Sequence, residues 1–99
     1  MKIWIDDVRP APEDYLWCKS VDLTKQVIII NEYYHIAIEL LDIDHDAGSY
    51  ANKGGDYIKL LDWLEKTGRN YPIRIHSMNP VGVANMRAII RRNGWTEVK

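Results

Sequence analysis

The nine residues IAIELLDID (36–44) constrain this chain more than any other stretch. Every position from Ile36 to Leu41 except Glu39 is apolar, and a strand written that way is buried on both faces. Such a strand belongs near the centre of a parallel sheet, with helices forming the crossovers. The rest of the chain reads accordingly. MKIWID predicts a short strand over 2–6, and YLWCK a second one. Between them, Pro10 and Pro12 exclude a regular helix from DVRPAPED. Ser20 is placed to cap a helix over 21–34, although the β-branched VIII at 27–30 also suits a strand. Gly48, Gly54 and Gly55 predict a mobile loop. In DYIKLLDWLEKTG, Tyr57, Leu60, Leu61 and Leu64 fall at helical spacing before a stop at Gly68. YPIRIHS is a strand with Pro72 at its tolerated first position, VGVANMRAIIRRNG a last helix, and WTEVK an edge strand.

Ninety-nine residues suffice for one core, so residues 1–99 are expected to form a single α/β domain. The net charge of −1 gives no electrostatic case for duplex DNA or a membrane. Arg87, Arg91 and Arg92, with Trp95 nearby, read as a solvated helix face rather than a nucleic-acid surface. No run reaches the length of a membrane span, and MKIWIDD lacks the features of a signal peptide. Cys18 is the only cysteine, so no internal disulfide can form; it is read as a packing residue, and a cytoplasmic protein is expected.

Chemistry is concentrated where strands end. The first strand closes in Asp6 and Asp7, with Arg9 just beyond. The central one closes in Asp44, His45 and Asp46, and the next in His76, Ser77 and Asn79. Taken singly, an acid there caps a helix or solvates a turn, and His76 alone fits a hydrogen-bonded core histidine. Asp42 shares a face with Asp44 but lies deeper, and is read as structural; His35 reads as an ordinary loop residue. In an open parallel sheet, however, ligands bind beyond the carboxyl ends of the strands. Neighbouring strands lie about 4.8 Å apart, so these three sets of residues are expected to converge on one rim.

The acids after the first strand, the Asp closing the third and the Ser closing the fourth resemble the phosphoacceptor layout of receiver domains. More closely, KIWIDDVRPAP, LDIDHDAG, GGDYIKLLDWLE and IRIHSMNPVGVANM resemble the cyclic-phosphate processing receiver domain family, over nearly the whole chain. The resemblance implies a flavodoxin-like, receiver-like fold of three layers, its mostly parallel five-stranded sheet in the order 2-1-3-4-5. It also implies the handling of cyclic phosphates of nucleotides or RNA ends. The chain departs from an ordinary receiver in three respects. The proline loop stands in place of the first helix, and His45 follows the acid matching the phosphorylated Asp. Only Lys99 can match the receiver lysine, with no final helix after it. The fifth strand is therefore expected at an exposed edge, where a homodimer or partner contact is conceivable.

Two chemistries suit these residues. Asp6, Asp7 and Asp44, with Asp46 as a further ligand or orienter, can hold Mg²⁺ or Mn²⁺, which take hard oxygen ligands and phosphate oxygens. His45 and His76 can form an acid/base pair, since imidazole carries and releases protons near neutrality. Arg9, Ser77 and Asn79 are candidate phosphate contacts; Arg74 is a weaker one, inside its strand. The expected activity is metal-assisted hydrolysis of a small cyclic phosphate. The alternatives are a non-catalytic module, either a phosphoacceptor at Asp44 or a sponge that sequesters a cyclic nucleotide.

Overall fold

Period-two alternation builds the sheet. In a computed structural model, which describes residues 1–99, four parallel strands lie in the order β2-β1-β3-β4. They are β1 (Lys2–Ile5), β2 (Tyr15–Cys18), β3 (Leu40–Ile43) and β4 (Ile73–Ile75). The register aligns Ile3 with Leu41 and Leu41 with Ile73; Ile5 aligns with Cys18 and Ile43. These side chains share one face. Helices α1 (Val21–Tyr33), α2 (Ile58–Lys66) and α3 (Pro80–Asn93) add Val21, Ile28, Leu60, Leu61, Leu64, Met86 and Ile90 to the same core.

All three helices cover that one face, for a topological reason. The step from β1 to β2 moves one way across the sheet, and those from β2 to β3 and β3 to β4 move the other way. Right-handed crossovers place connections of opposite travel on opposite faces. Only the β1–β2 connection would put a helix on the second face, and its prolines keep it a loop. The expected three layers are therefore corrected to two.

The expected fifth strand is also corrected. Residues 95–99 make one parallel bridge, Ile73 to Glu97, and the sheet has four strands. β4 is only three residues long, so it offers a short edge. Gly94, left-handed at φ 67°, turns the chain sharply just before this segment.

Local signals settle the remaining elements. Ser20 Oγ accepts from Leu23 N at 3.1 Å and caps α1, which carries VIII in helical form with only Ile28 in the core. His35 takes φ 58° just past the α1 C-terminus, and β3 begins at Leu40 rather than at Ile36. Within the glycine loop, Gly48–Asn52 form a 3-10 turn. Cys18 is fully buried, and burial pushes its thiol up to about 11. No helix is long and apolar enough to cross a membrane.

Candidate active site at the strand ends

The second face of the sheet carries the alternate side chains: Trp4 of β1, Tyr15 and Trp17 of β2, Asp42 of β3 and Arg74 of β4. Trp4 stacks on the His76 ring at 3.8 Å with the planes 4° apart, and meets Tyr15 edge-on at 5.8 Å. Both tryptophans brace the loop that follows β1. Trp17 Nε1 donates to Asp6 O at 2.7 Å, and Trp4 Nε1 donates to Arg9 O at 2.9 Å. Asp6 Oδ1 accepts from Val8 N at 3.0 Å and Arg9 N at 2.9 Å, which closes the turn.

This fixed loop brings the acids together. Ile5 lies beside Ile43, so Asp6 and Asp44 leave neighbouring strands at one level, and Asp44 N donates to Ile5 O at 2.9 Å. Asp6, Asp7 and Asp44 each present a carboxylate oxygen, all within 4.8 Å of one another. The Arg9 guanidinium lies 3.6 Å from Asp6 Oδ2 and 3.9 Å from Asp44 Oδ2. Burial alone would raise the Asp6 carboxyl. Hydrogen bonds from Arg9 N, Val8 N and His76 outweigh it and hold Asp6 below the ordinary carboxylate range. Asp7 is pushed above that range by burial and by the charges of Asp6 and Asp44. A Cβ at Gly48 would stand 2.3 Å from Asp7 Oδ2 and would displace that carboxylate, and the left-handed φ of 56° also favours glycine there.

The two histidines occupy different environments. His76 is clamped: Nε2 lies 2.9 Å from Asp6 Oδ2, and Nδ1 2.7 Å from Asp42 Oδ1. Asp42 is fully buried; its Oδ2 accepts from the Tyr15 hydroxyl at 3.1 Å and lies 3.5 Å from Arg74 Nη1. A hydrogen-bonded chain thus runs from Tyr15 through Asp42 and His76 to Asp6. In His45, Nδ1 lies 2.8 Å from Asp46 Oδ1, while Nε2 has no hydrogen-bond partner in the protein. Its ring rests on α3 at Gly82, where a Cβ would come within 2.4 Å of His45 Cγ.

The turn into α3 completes the rim. Asn79 Oδ1 caps the helix by accepting from Gly82 N at 3.0 Å, and Asn79 Nδ2 approaches Asp46 Oδ1 at 3.4 Å. Ser77 Oγ accepts from Asn79 N at 3.1 Å. The chain therefore groups Asp6, Asp7, Asp44, Arg9 and His76 in one cluster. His45, Asp46, Ser77 and Asn79 form an adjoining one, joined by the short path from His76 to Ser77.

Three clustered carboxylates suit a hard divalent cation. The cation beside these acids is Arg9, whereas Lys99 ends 3.3 Å from Glu97. Sequence reasoning missed two participants. Asp42, which reads from the sequence as structural, reaches the rim through His76, and Trp4, which no motif singles out, stacks on the same ring. Both could have been found by parity: Trp4, Asp42 and Arg74 align across the sheet, and His76 follows two residues on.

A family model described as the cyclic-phosphate processing receiver domain matches residues 1–92. No curated protein and no solved structure matches the chain. The match spans β1 through nearly all of α3 and so includes every residue of the rim. The chain belongs to the cyclic-phosphate processing receiver domain family.

Proposed function

We propose that this protein is a metal-assisted phosphoesterase that opens cyclic phosphates at the rim formed by β1, β3 and β4. The observation that carries the reading is the convergence of Asp6, Asp7 and Asp44 within 4.8 Å, beside a histidine with one open ring nitrogen. Asp6, Asp7 and Asp44 would hold Mg²⁺ or Mn²⁺. Such an ion supplies charge neutralisation for a phosphate that bare carboxylates would repel.

The chain's own residues then have distinct tasks. Arg9 faces the acids and contacts a phosphate oxygen, with the Ser77 hydroxyl as a second donor. Asp46 orients His45 through Nδ1 and leaves Nε2 to take the proton of an attacking water, the logic of an aspartate-oriented base. The water oxygen bonds to phosphorus, one ring P–O bond breaks, and the departing oxygen takes a proton from solvent. His76 is reassigned from the acid/base pair. Both of its nitrogens face carboxylates, so it positions Asp6 instead.

Incubation with 2′,3′-cyclic mononucleotides in Mg²⁺, in Mn²⁺ and in chelator tests the reading. Expected is ring opening that needs the metal and is lost in His45→Ala. Ligand uptake without product would favour the sponge instead. The second reading, a phosphoacceptor, draws on the place of Asp44, whose Oδ1 is held by His45 N at 2.7 Å while Oδ2 faces Arg9. Stable labelling of Asp44 by acetyl phosphate, with no ring opening, would select it.

A further inference from the structure

The molecule has one sizeable groove, and it lies just past the rim. It encloses about 650 Å³ between the outer edge of β4 and α3, within the range of ligand pockets. Ser77 belongs to both places: it lines the groove, and it follows the histidine that touches Asp6. Ser77 therefore stands at the boundary between the rim and the groove.

The walls have the chemistry of a nucleoside site. Ile75, Val83 and Met78 supply apolar surface, and Met78 is 86% exposed. The β-ladder at this edge stops where Val98 N donates to Ile73 O at 2.7 Å. Ile75 shares the parity of Ile73, so its N–H and C=O point outward without partners and can read polar edges. The groove is lined by Arg87 and Arg91, two of the three arginines that the sequence presented as one solvated face. Arg92 pairs with Glu65 and Arg87 with Glu97, both at 2.9 Å or less. Arg91 enters no ion pair and lines the groove.

We infer that this groove holds a second nucleotide of the substrate, its base against Ile75 and Val83 and its phosphate at Arg91. The inference rests on the phosphoesterase reading and deepens it: the preferred substrate is a cyclic phosphate carried on at least two nucleotides. Phosphate complementarity selects this occupant, because an apolar peptide would leave Arg91 without a counter-charge.

The test compares kcat/KM for uridine 2′,3′-cyclic phosphate, a linear diuridylate ending in that group, and a cyclic dinucleotide. Each is run on the native chain, Arg91→Ala and Ala84→Trp, the last filling the groove. Expected is a preference of about tenfold for a dinucleotide, the size of one charged hydrogen bond, abolished in both variants with the mononucleotide rate unchanged. Preference for the linear form assigns an RNA end, and for the closed form a cyclic signal; either supports the groove. Equal rates on all substrates, indifferent to Arg91→Ala, overturn it while leaving the phosphoesterase reading intact. A parallel NMR titration with the linear diuridylate 3′-phosphate separates the two claims. Shifts at the Ile75, Ser77 and Ala84 amides that vanish in Arg91→Ala, without turnover of any substrate, keep the groove and sink the hydrolase. Neither shifts nor turnover sinks both.

Discussion

The two faces of this sheet are built from the same four strands and do different work. On the helix side, Ile3, Ile5, Leu41, Ile43 and Ile73 are fully buried, and each contributes roughly 1.5–3 kcal/mol through burial. On the other side, Trp4, Tyr15, Trp17, Asp42, Arg74 and His76 form a hydrogen-bonded and stacked layer with no helix over it. Every buried polar side-chain atom nevertheless finds a partner, so this layer escapes the penalty of unsatisfied burial. One residue of parity decides whether a strand position supports the core or the rim. The comparison teaches that both faces contribute to stability, while the polar side chains that reach the rim come from one face only.

The largest effect should come at the rim itself. Asp44→Asn is expected to lower turnover by more than the roughly 100-fold that loss of an outer hydrogen-bond partner costs a metal site. Its thermal midpoint should change little, as measured by calorimetry. A collapse of the fold in that variant would erase the distinction between faces.

Next in size are paired substitutions, one on each face. Asp42→Ala strands His76 and Arg74 and should cost about 3–5 kcal/mol in urea unfolding, with turnover per folded molecule also falling. Leu61→Ala in α2 should cost a comparable 2–5 kcal/mol but leave turnover per folded molecule unchanged. Equal activity losses in the two variants would break the comparison.

Charge gives smaller effects with a definite sign. Burial and the charges of Asp6 and Asp44 raise the Asp7 carboxyl, so its ionised form opposes folding at neutral pH. Asp7→Asn should therefore raise the midpoint in chelator and remove any further rise on adding Mg²⁺. On the helix side, Glu32 is held below its ordinary value of 4.5 by hydrogen bonds from Arg69, which outweigh its burial, and by one from Tyr71. A lowered carboxyl contributes stability above that value, lost as the pH falls through the folded one. Arg69→Gln should flatten this acid limb of the stability profile without altering turnover. The smallest effect concerns Cys18, whose thiol is raised to about 11 by burial. It should label with thiol reagents no faster than the protein unfolds.

Much of this architecture was legible because its signals are local. Ser20 and Gly68 mark helix ends, and the apolar run before Asp44 marks the central strand. Convergence at the rim followed from parallel pairing, which carries residues at strand ends to one edge whatever lies between them. The second face was harder. Whether a helix covers it depends on one proline-bearing connection and the direction of chain travel, which no window of sequence displays. Asp42 was read as structural because depth in a strand argues against contact with ligand. Its influence passes through His76, thirty-four residues away, a relation that only register reveals. The fifth strand failed for a related reason: three residues of β4 cannot support a full partner, although WTEVK is a plausible strand alone.

The most direct measurement is a titration of the chelator-treated protein with Mn²⁺, followed by electron paramagnetic resonance. The rim predicts one bound ion per chain in the native protein, and none in Asp44→Asn at the same concentrations. Native protein that leaves the full free-ion signal at millimolar Mn²⁺, or Asp44→Asn that binds as well as the native chain, would contradict it.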